Sequence, residues 1–157
     1  MTHEFTATDI FDIAIQIEQN GARFYRRAAN LVDQENHKQF LTALADMEDD
    51  HEKTFAAMKD QLTDAASAAP VFDPEDENTR YLKALADTRV FFEKDQPDPS
   101  MKGILTAAIA AEKDSIAFYL GMKELVPEKL GKTKVGEIIK EEMRHIQILA
   151  GQLTRLA

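Results

Sequence analysis

The sequence predicts an all-α protein, an antiparallel four-helix bundle whose long crossover contains a short helix. Apolar residues recur at the spacing of an amphipathic helix in four long segments. No segment alternates apolar and polar residues with the period of a strand, so no sheet is expected. The second pair of helical segments also repeats the first pair at a fixed offset, which indicates two similar helical hairpins.

The first predicted helix runs from about Thr8 to Leu31, and a break at residues 32–36 separates it from a second helix that extends to about Leu62. The residues expected to face inward are spaced by three or four positions, which places them on one side of each helix. In the first helix they are Ile10, Phe11, Ala14, Ile17, Ala22 and Tyr25. In the second helix they are Phe40, Leu41, Leu44, Met47, His51, Phe55, Met58 and Leu62.

A crossover of different composition, rich in Ala, Ser, Pro and Asp, occupies about residues 63–98. Within it, Asp73 is a candidate N-cap and Pro74 suits the first helical position. Acidic residues follow and favour a helix N-terminus, so we expect a short helix that ends at about Phe91.

Asp98 and Pro99 repeat this start signal for the third long helix, which Pro127 and Gly131 end. The fourth helix begins at about Thr133. The residues expected to face inward in the third helix are Ile104, Leu105, Ala108, Ile109, Ile116, Tyr119 and Leu120. In the fourth they are Val135, Ile138, Ile139, Ile146, Leu149 and Leu153.

A chain of 157 residues with 44% apolar content is long enough for one core and too short for two full domains. We therefore expect residues 1–157 to form a single domain. Its helix pairs cover about residues 8–62 and 99–156 and form an internal repeat around the connector at about residues 63–98.

Each half of the repeat carries one polar pattern: a Glu, followed 30 residues later by Glu-x-x-His. The two copies are Glu18, Glu48 and His51, and then, 94 positions on, Glu112, Glu142 and His145. All six residues lie within the apolar stripes of their helices, where their neighbours one turn away are mostly apolar. The spacing therefore directs them towards the core.

Buried carboxylates need a compensating charge, because burying one unpaired costs on the order of several kcal/mol and four would repel one another. The stripes contain no Lys or Arg, whereas two divalent cations would balance four carboxylates. One Glu from each of two helices and Glu-x-x-His from each of the other two is the donor set of di-metal four-helix bundles. The sequence thus predicts that these six residues bind two metal ions.

Two plainer interpretations stay open from the sequence. The six residues could lie on the surface, or they could form a buried ion-pair network with Arg23, Arg26 and Arg144. If metal is bound, carboxylate and imidazole donors suit iron or manganese, and zinc also binds such sites. We expect iron, with at least two glutamates bridging the ions, each His terminal, and dioxygen or peroxide as the substrate.

In these six residues the sequence resembles the rubrerythrin branch of the ferritin-like superfamily, over nearly the whole chain. The resemblance implies a ferritin-like bundle and a di-iron oxidoreductase of the peroxidase or ferroxidase type. Rubrerythrins have a further carboxylate one turn after the third-helix Glu, where this chain has Ser115, mirrored by Gly21 in the first helix. They also carry a four-cysteine iron domain, and this sequence has no Cys, so the resemblance implies an external electron-donor protein.

Other residues near the predicted ligands have two interpretations each. Tyr25 and Tyr119 lie two turns after Glu18 and Glu112 and either act on a ligand, as hydrogen-bond donors or electron relays, or serve as core aromatics. Gly21 and Ser115 either leave space for dioxygen or peroxide or allow close helix packing. Glu52 and Glu141 adjoin ligands in sequence but point about 100° away, so they are expected either to contact the ligands from outside the ligand set or to lie on the surface.

The composition excludes several classes of function. A formal charge of −9 opposes binding to nucleic acid or anionic lipid, and the absence of Cys excludes disulfides and thiolate chemistry. No segment has the apolar length of a membrane span, and we expect a soluble cytoplasmic protein. A homodimer is possible, with Phe91 and Phe92 as candidate contacts. Two other functions stay open: a non-catalytic iron-handling or metal-binding module, and an interaction bundle held together by zinc.

Overall fold

A computed structural model describes residues 5–62, 77–87 and 98–156 of the chain. In these ranges it contains helices and no strand, which confirms the predicted all-α class. None of the described helices is long and apolar enough to cross a bilayer. The elements are α1 (Ala7–Leu31), α2 (Glu35–Asp60), α3 (Glu77–Asp87), α4 (Met101–Leu125), a 3₁₀ helix (Glu128–Leu130) and α5 (Lys132–Arg155).

The helix starts follow local capping chemistry. Helix α1 begins after Thr6, whose side chain and that of Asp9 form a reciprocal capping box. The prediction that Asp98 caps α4 is wrong: Ser100 is the N-cap and accepts a hydrogen bond from Gly103 N at 3.0 Å. Asp98 instead accepts one from Ser100 N at 2.9 Å, because its short side chain closes a turn before the helix.

The short helix predicted in the crossover is present as α3. Its predicted start at Asp73 and Pro74 and its predicted end at Phe91 lie outside the described residues. Leu82 of α3 is fully buried.

Short connections join α1 to α2 and α4 to α5, and each pair packs as an antiparallel hairpin. The crossover helix α3 packs against α4 close to Gly121, where a Cβ atom would lie 2.8 Å from Leu82 Cδ2. Tyr81 adds a hydrogen bond from its hydroxyl to Ala117 O at 2.7 Å. Gly121 therefore allows α3 to approach the bundle closely.

The core consists of two apolar clusters, each built from all four long helices. One contains Ile10, Phe11, Ala14, Ile17, Phe55, Met58, Leu82, Phe118, Tyr119, Met122, Leu125, Val126, Val135, Ile138 and Ile139. The other contains Tyr25, Ala28, Ala29, Val32, Leu41, Leu44, Ala45, Ile104, Leu105, Ala108 and Leu149. On every long helix the predicted metal ligands lie between these two sets, as Glu18 lies between Ile17 and Tyr25, so the polar layer sits midway along the bundle.

Most of the residues expected to face inward are buried or half-buried. Met47 and Leu120 are exceptions, with exposed fractions of 41% and 50%. Each lies next to a residue at the centre of its stripe, Glu48 or Tyr119, and one step along a helix turns the side chain by about 100°. The buried stripe is therefore narrower at these two positions than the sequence predicts.

Candidate metal centre

The structure brings together all six residues of the repeated pattern, which we call the six-residue cluster. α1 contributes Glu18, α2 contributes Glu48 and His51, α4 contributes Glu112, and α5 contributes Glu142 and His145. All six are buried, with exposed fractions of 4% or less. The surface interpretation of these residues is therefore wrong.

Within the cluster, two groups of four residues each have the geometry of a cation site. The ligand atoms of each group lie within 4.8 Å of one another. One group is Glu18, Glu48, His51 and Glu142, and the other is Glu48, Glu112, Glu142 and His145. Glu48 and Glu142 belong to both groups, so two cations at these positions would share two carboxylates.

Both imidazole rings turn Nδ1 towards the carboxylates. His51 Nδ1 lies 2.7 Å from Glu142 Oε1 and 3.5 Å from Glu18 Oε2. His145 Nδ1 lies 3.3 Å from Glu48 Oε1 and 3.4 Å from Glu112 Oε1. The rings stack with their centroids 5.7 Å apart and their planes 17° from parallel, so the two Glu-x-x-His motifs meet inside the bundle.

Every member of the cluster has at least one buried polar atom without a properly oriented hydrogen-bond partner. Buried polar groups in folded proteins are normally hydrogen-bonded, so such a concentration needs an explanation. Carboxylate oxygens and imidazole nitrogens with free lone pairs are the donors that iron, manganese and zinc take. The cluster therefore fits a pair of metal ions. The atoms are Glu18 Oε2, Glu48 Oε1, His51 Nδ1, Glu112 Oε2, Glu142 Oε1 and Oε2, and His145 Nδ1.

No arginine or lysine of the described residues forms an ion pair with the four glutamates. Arg26 pairs with Asp49 and Asp46 on the surface, and Arg23 hydrogen-bonds Asn20. The hydrogen bond to Arg26 lowers the pKa of Asp49. The arginine network considered from the sequence thus does not compensate the buried carboxylates in the part of the chain that is described.

Burial and the neighbouring charged groups shift the pKa values of the residues in the cluster. Burial raises the pKa of Glu48 and of Glu142 well above the ordinary value, and the neighbouring carboxylates raise both further. Burial also pushes the pKa of Glu112 upward, but the close approach of Glu142 and His145 and the hydrogen bond from Tyr25 bring it below its ordinary value. Burial alone lowers the pKa of His51, yet the nearby carboxylate of Glu18 and the contact with Glu141 outweigh it and raise the pKa to about 9. Without cations, protons must offset much of the buried charge.

The two tyrosines singled out in the sequence bond to the cluster across the bundle. Tyr25 donates its hydroxyl proton to Glu112 Oε1 at 2.6 Å, and Tyr119 donates to Glu18 Oε1. Burial, followed by the charge of the glutamate it contacts, raises the pKa of each phenol well above its ordinary value. Each tyrosine is therefore a fixed, neutral donor to the glutamate of the opposite half.

Gly21 and Ser115 differ in what they do beside the cluster. A Cβ atom at Gly21 would lie 2.7 Å from Glu48 Oε2, so only glycine leaves this carboxylate in place. Ser115 donates its hydroxyl to Ala111 O of its own helix at 3.0 Å. The missing side chain at position 21 thus accommodates a carboxylate shared by both groups, a role that the sequence spacing alone does not reveal.

Of the two positions that the sequence leaves open for Glu141, beside the ligands or on the surface, the structure shows a contact with a ligand. Glu141 Oε2 lies 2.5 Å from Nε2 of His51, on the side of the ring away from the cluster. Glu52, which follows the first Glu-x-x-His, accepts a hydrogen bond from Gln19 at 2.8 Å instead. Of the two flanking glutamates, only Glu141 touches a member of the cluster within the described residues.

Comparison with known proteins agrees with this geometry. A family model described as a ferritin-like domain matches residues 6–155. A crystal structure from Thermotoga maritima, of a protein described as a candidate ferritin-like diiron-carboxylate protein, is 27% identical in sequence, with a TM-score of 0.71 over 100% of both chains. Among curated proteins, none matches the chain significantly.

Proposed function

The chain belongs to the ferritin-like domain family, and we propose that it is a rubrerythrin-like di-iron oxidoreductase that reduces peroxide or dioxygen. The observation that carries this proposal is the pair of buried donor groups that share Glu48 and Glu142. A carboxylate-rich pair of adjacent cation positions suits chemistry in which two metal ions change oxidation state together. The Thermotoga maritima protein of similar fold, described as a candidate diiron-carboxylate protein, supports the choice of iron.

Four residues of the six-residue cluster would each bind one ion, and the other two would contact both ions. Glu18 and His51 would bind one ion, while Glu112 and His145 would bind the other. Glu48 and Glu142 would contact both ions, since each belongs to both groups. Bound Fe(II) would supply the electrons for the reduction, with one electron from each of two ions for each peroxide converted to water.

The surrounding residues would hold the ligands of this centre in place and exclude bulk water from it. Tyr25 and Tyr119 hold the carboxylates of Glu112 and Glu18 in place and keep a proton on each phenol oxygen. The apolar clusters on either side of the polar layer exclude bulk water from it. Reduction of peroxide to water consumes two protons as well as two electrons, and the protons would come from solvent, because the raised pKa values of the two phenols keep their protons in place.

The electrons must be replaced from outside the cluster, because the sequence has no Cys to form an iron–sulfur or four-cysteine iron site. We therefore propose an external electron-donor protein as the partner. Rubrerythrins have a further carboxylate at the position of Ser115, and a serine cannot supply one to the group that contains Glu112 and His145. This chain would therefore perform the rubrerythrin-like reaction with six ligands. The cytoplasmic location and the homodimer expected from the sequence stay predictions.

The direct test is the iron content of purified protein, together with its absorption spectrum after anaerobic Fe(II) loading and addition of peroxide. The expected result is about two irons per chain and a ferric absorption that peroxide produces at once. Glu48→Ala/Glu142→Ala removes the shared carboxylates and should lose both. Glu137→Gln, an exposed carboxylate on α5, serves as the control and should retain both.

Other outcomes distinguish the remaining functions. Rapid oxidation of Fe(II), followed by release of ferric iron without turnover of peroxide, would favour an iron-handling module. A single zinc ion that only raises the unfolding temperature would favour a structural interaction bundle. Either result would overturn the oxidoreductase proposal.

A further inference from the structure

The two halves of the six-residue cluster have the same ligand types, but their surroundings are not the same. Glu141 places a carboxylate oxygen 2.5 Å from His51 Nε2. The repeat offset is 94 residues, so the position equivalent to Glu141 is 141 − 94 = 47, which is Met47. Among the described residues no ion pair involves Nε2 of His145; its ion-pair contacts are all made by Nδ1. Within the described part of the chain, therefore, His51 has an acidic partner at Nε2 and His145 has none.

This difference bears on metal binding because both rings direct Nδ1 towards the cluster. An imidazole that binds a cation through Nδ1 must carry its proton on Nε2. A carboxylate that accepts this proton fixes the tautomer and the ring orientation and makes the ligand nitrogen more basic. Glu141 offers His51 this support, and Met47 has no acceptor to offer His145.

We propose that Glu141 is a positioning residue that makes the two cation positions inequivalent, so that the position containing His51 binds its ion more tightly and fills first. This inference rests on the proposed function in one respect, namely that the cluster binds two cations. It adds an order of filling, with the weaker position next to His145. Loss of the outer carboxylate of a metal-bound histidine typically weakens affinity by about 10–100-fold, which sets the expected difference.

The partial exposure of Glu141 does not remove this effect. Its side chain is 47% exposed, so solvent screens its charge, but the hydrogen bond to His51 Nε2 is direct. Its ion pair among the described residues is with His51. The carboxylate is therefore available to orient the ring.

The test is an anaerobic calorimetric titration of metal-free protein with Co²⁺, which is not oxidised during the measurement. Wild type should take up two ions in two steps, with affinities about 10–100-fold apart. Glu141→Gln should weaken the tighter step by about that factor and bring the two steps together. Glu137→Gln makes the same change of charge one turn earlier on α5 and should leave both steps unchanged.

A variant that should gain affinity tests whether the loss in Glu141→Gln comes only from damage to the fold. Met47→Glu places a carboxylate at the position equivalent to Glu141 and should strengthen the weaker step, which damage to the fold would not do. In crystals given one equivalent of Co²⁺, the anomalous peak should lie beside His51 in wild type.

The outcomes separate the two proposals. Two ions bound with equal affinity in wild type, or an unchanged titration of Glu141→Gln, would overturn the inequivalence and leave the di-metal function intact. A first ion found beside His145 would also overturn it. No uptake of Co²⁺ by wild type would overturn the di-metal function, and the order of filling with it.

Discussion

Tyr119 donates its phenol proton to Glu18, a residue of the opposite half of the repeat, although in sequence it lies two turns after Glu112. Tyr25 makes the reciprocal bond to Glu112. The two halves of the chain are thus tied together through the carboxylates of the proposed metal centre, and each half holds a ligand of the other in place.

Removal of this hydroxyl tests whether the bond orders the metal site. Tyr119→Phe keeps the aromatic packing against Phe55, whose ring centroid is 5.1 Å away, but frees Glu18 Oε1. A hydrogen bond to a charged group contributes about 1.5–3 kcal/mol, so we expect cation affinity to fall about 10–100-fold. Tyr81→Phe, which removes a hydroxyl bonded to main-chain Ala117 O, is the control. Equal metal affinities in the two variants would contradict this role.

Glu142 should oppose folding when no metal is bound. It is fully buried, and burial and three other carboxylates raise its pKa, so the metal-free fold must either keep a buried charge or take up a proton there, and glutamine avoids both costs. We expect Glu142→Gln to raise the free energy of unfolding of the metal-free protein by about 1–4 kcal/mol, while metal no longer stabilises the variant. Denaturant titrations with chelator and with metal measure both. A metal-free variant less stable than wild type would contradict the charge argument.

Gly21→Ala separates helix stability from site geometry. Alanine favours a helix over glycine by about 0.8–1 kcal/mol, but here its Cβ would displace Glu48 Oε2. We expect a lower cation affinity with little loss of stability. Gly151→Ala is the matched control, because a Cβ there meets nothing within 4 Å in the described structure, and it should gain stability without any effect on metal. Unchanged metal affinity in Gly21→Ala would contradict this, because it would show that the Glu48 carboxylate can move aside and still bind metal.

The metal-free protein should become less stable as the pH rises. The pKa of His51 is raised from 6.5 to about 9 in the folded state, so protonated His51 stabilises the fold. That contribution is fully present below about pH 6.5 and is lost as the pH rises through about 9. The raised pKa values of Glu48 and Glu142 act in the same direction.

Denaturant unfolding with chelator at pH 6.5 and pH 9 measures this effect. We expect a loss on the order of 1–3 kcal/mol for wild type and a flatter dependence for His51→Gln. In the presence of metal the trend should weaken or reverse, because binding requires deprotonated ligands. A metal-free protein that is as stable at high pH as at low pH would contradict the role of His51.

Much of the fold follows from local sequence. The apolar stripes fix the four long helices, and the Glu and His residues inside those stripes are directed inward because helical periodicity determines which side chains share a face. The predictions of the α4 cap and of two inward-facing residues are wrong for local reasons too. Asp98 has the side chain of a cap, but Ser100, two residues later, competes for that position and is the N-cap. Met47 and Leu120 lie at the edges of their stripes.

The sequence by itself determined the helices, their repeat and the inward direction of the six polar residues. Only the tertiary structure decided which partner each of them meets: Tyr119 with Glu18, Glu141 with His51, and Gly21 with Glu48. Helical periodicity fixes relations within one helix, whereas contacts between helices depend on the rotation and axial offset that core packing imposes. For that reason the sequence shows the repeat and the replacement of Glu141 by Met47 in its first half, whereas the contact that makes His51 differ from His145 depends on the tertiary structure.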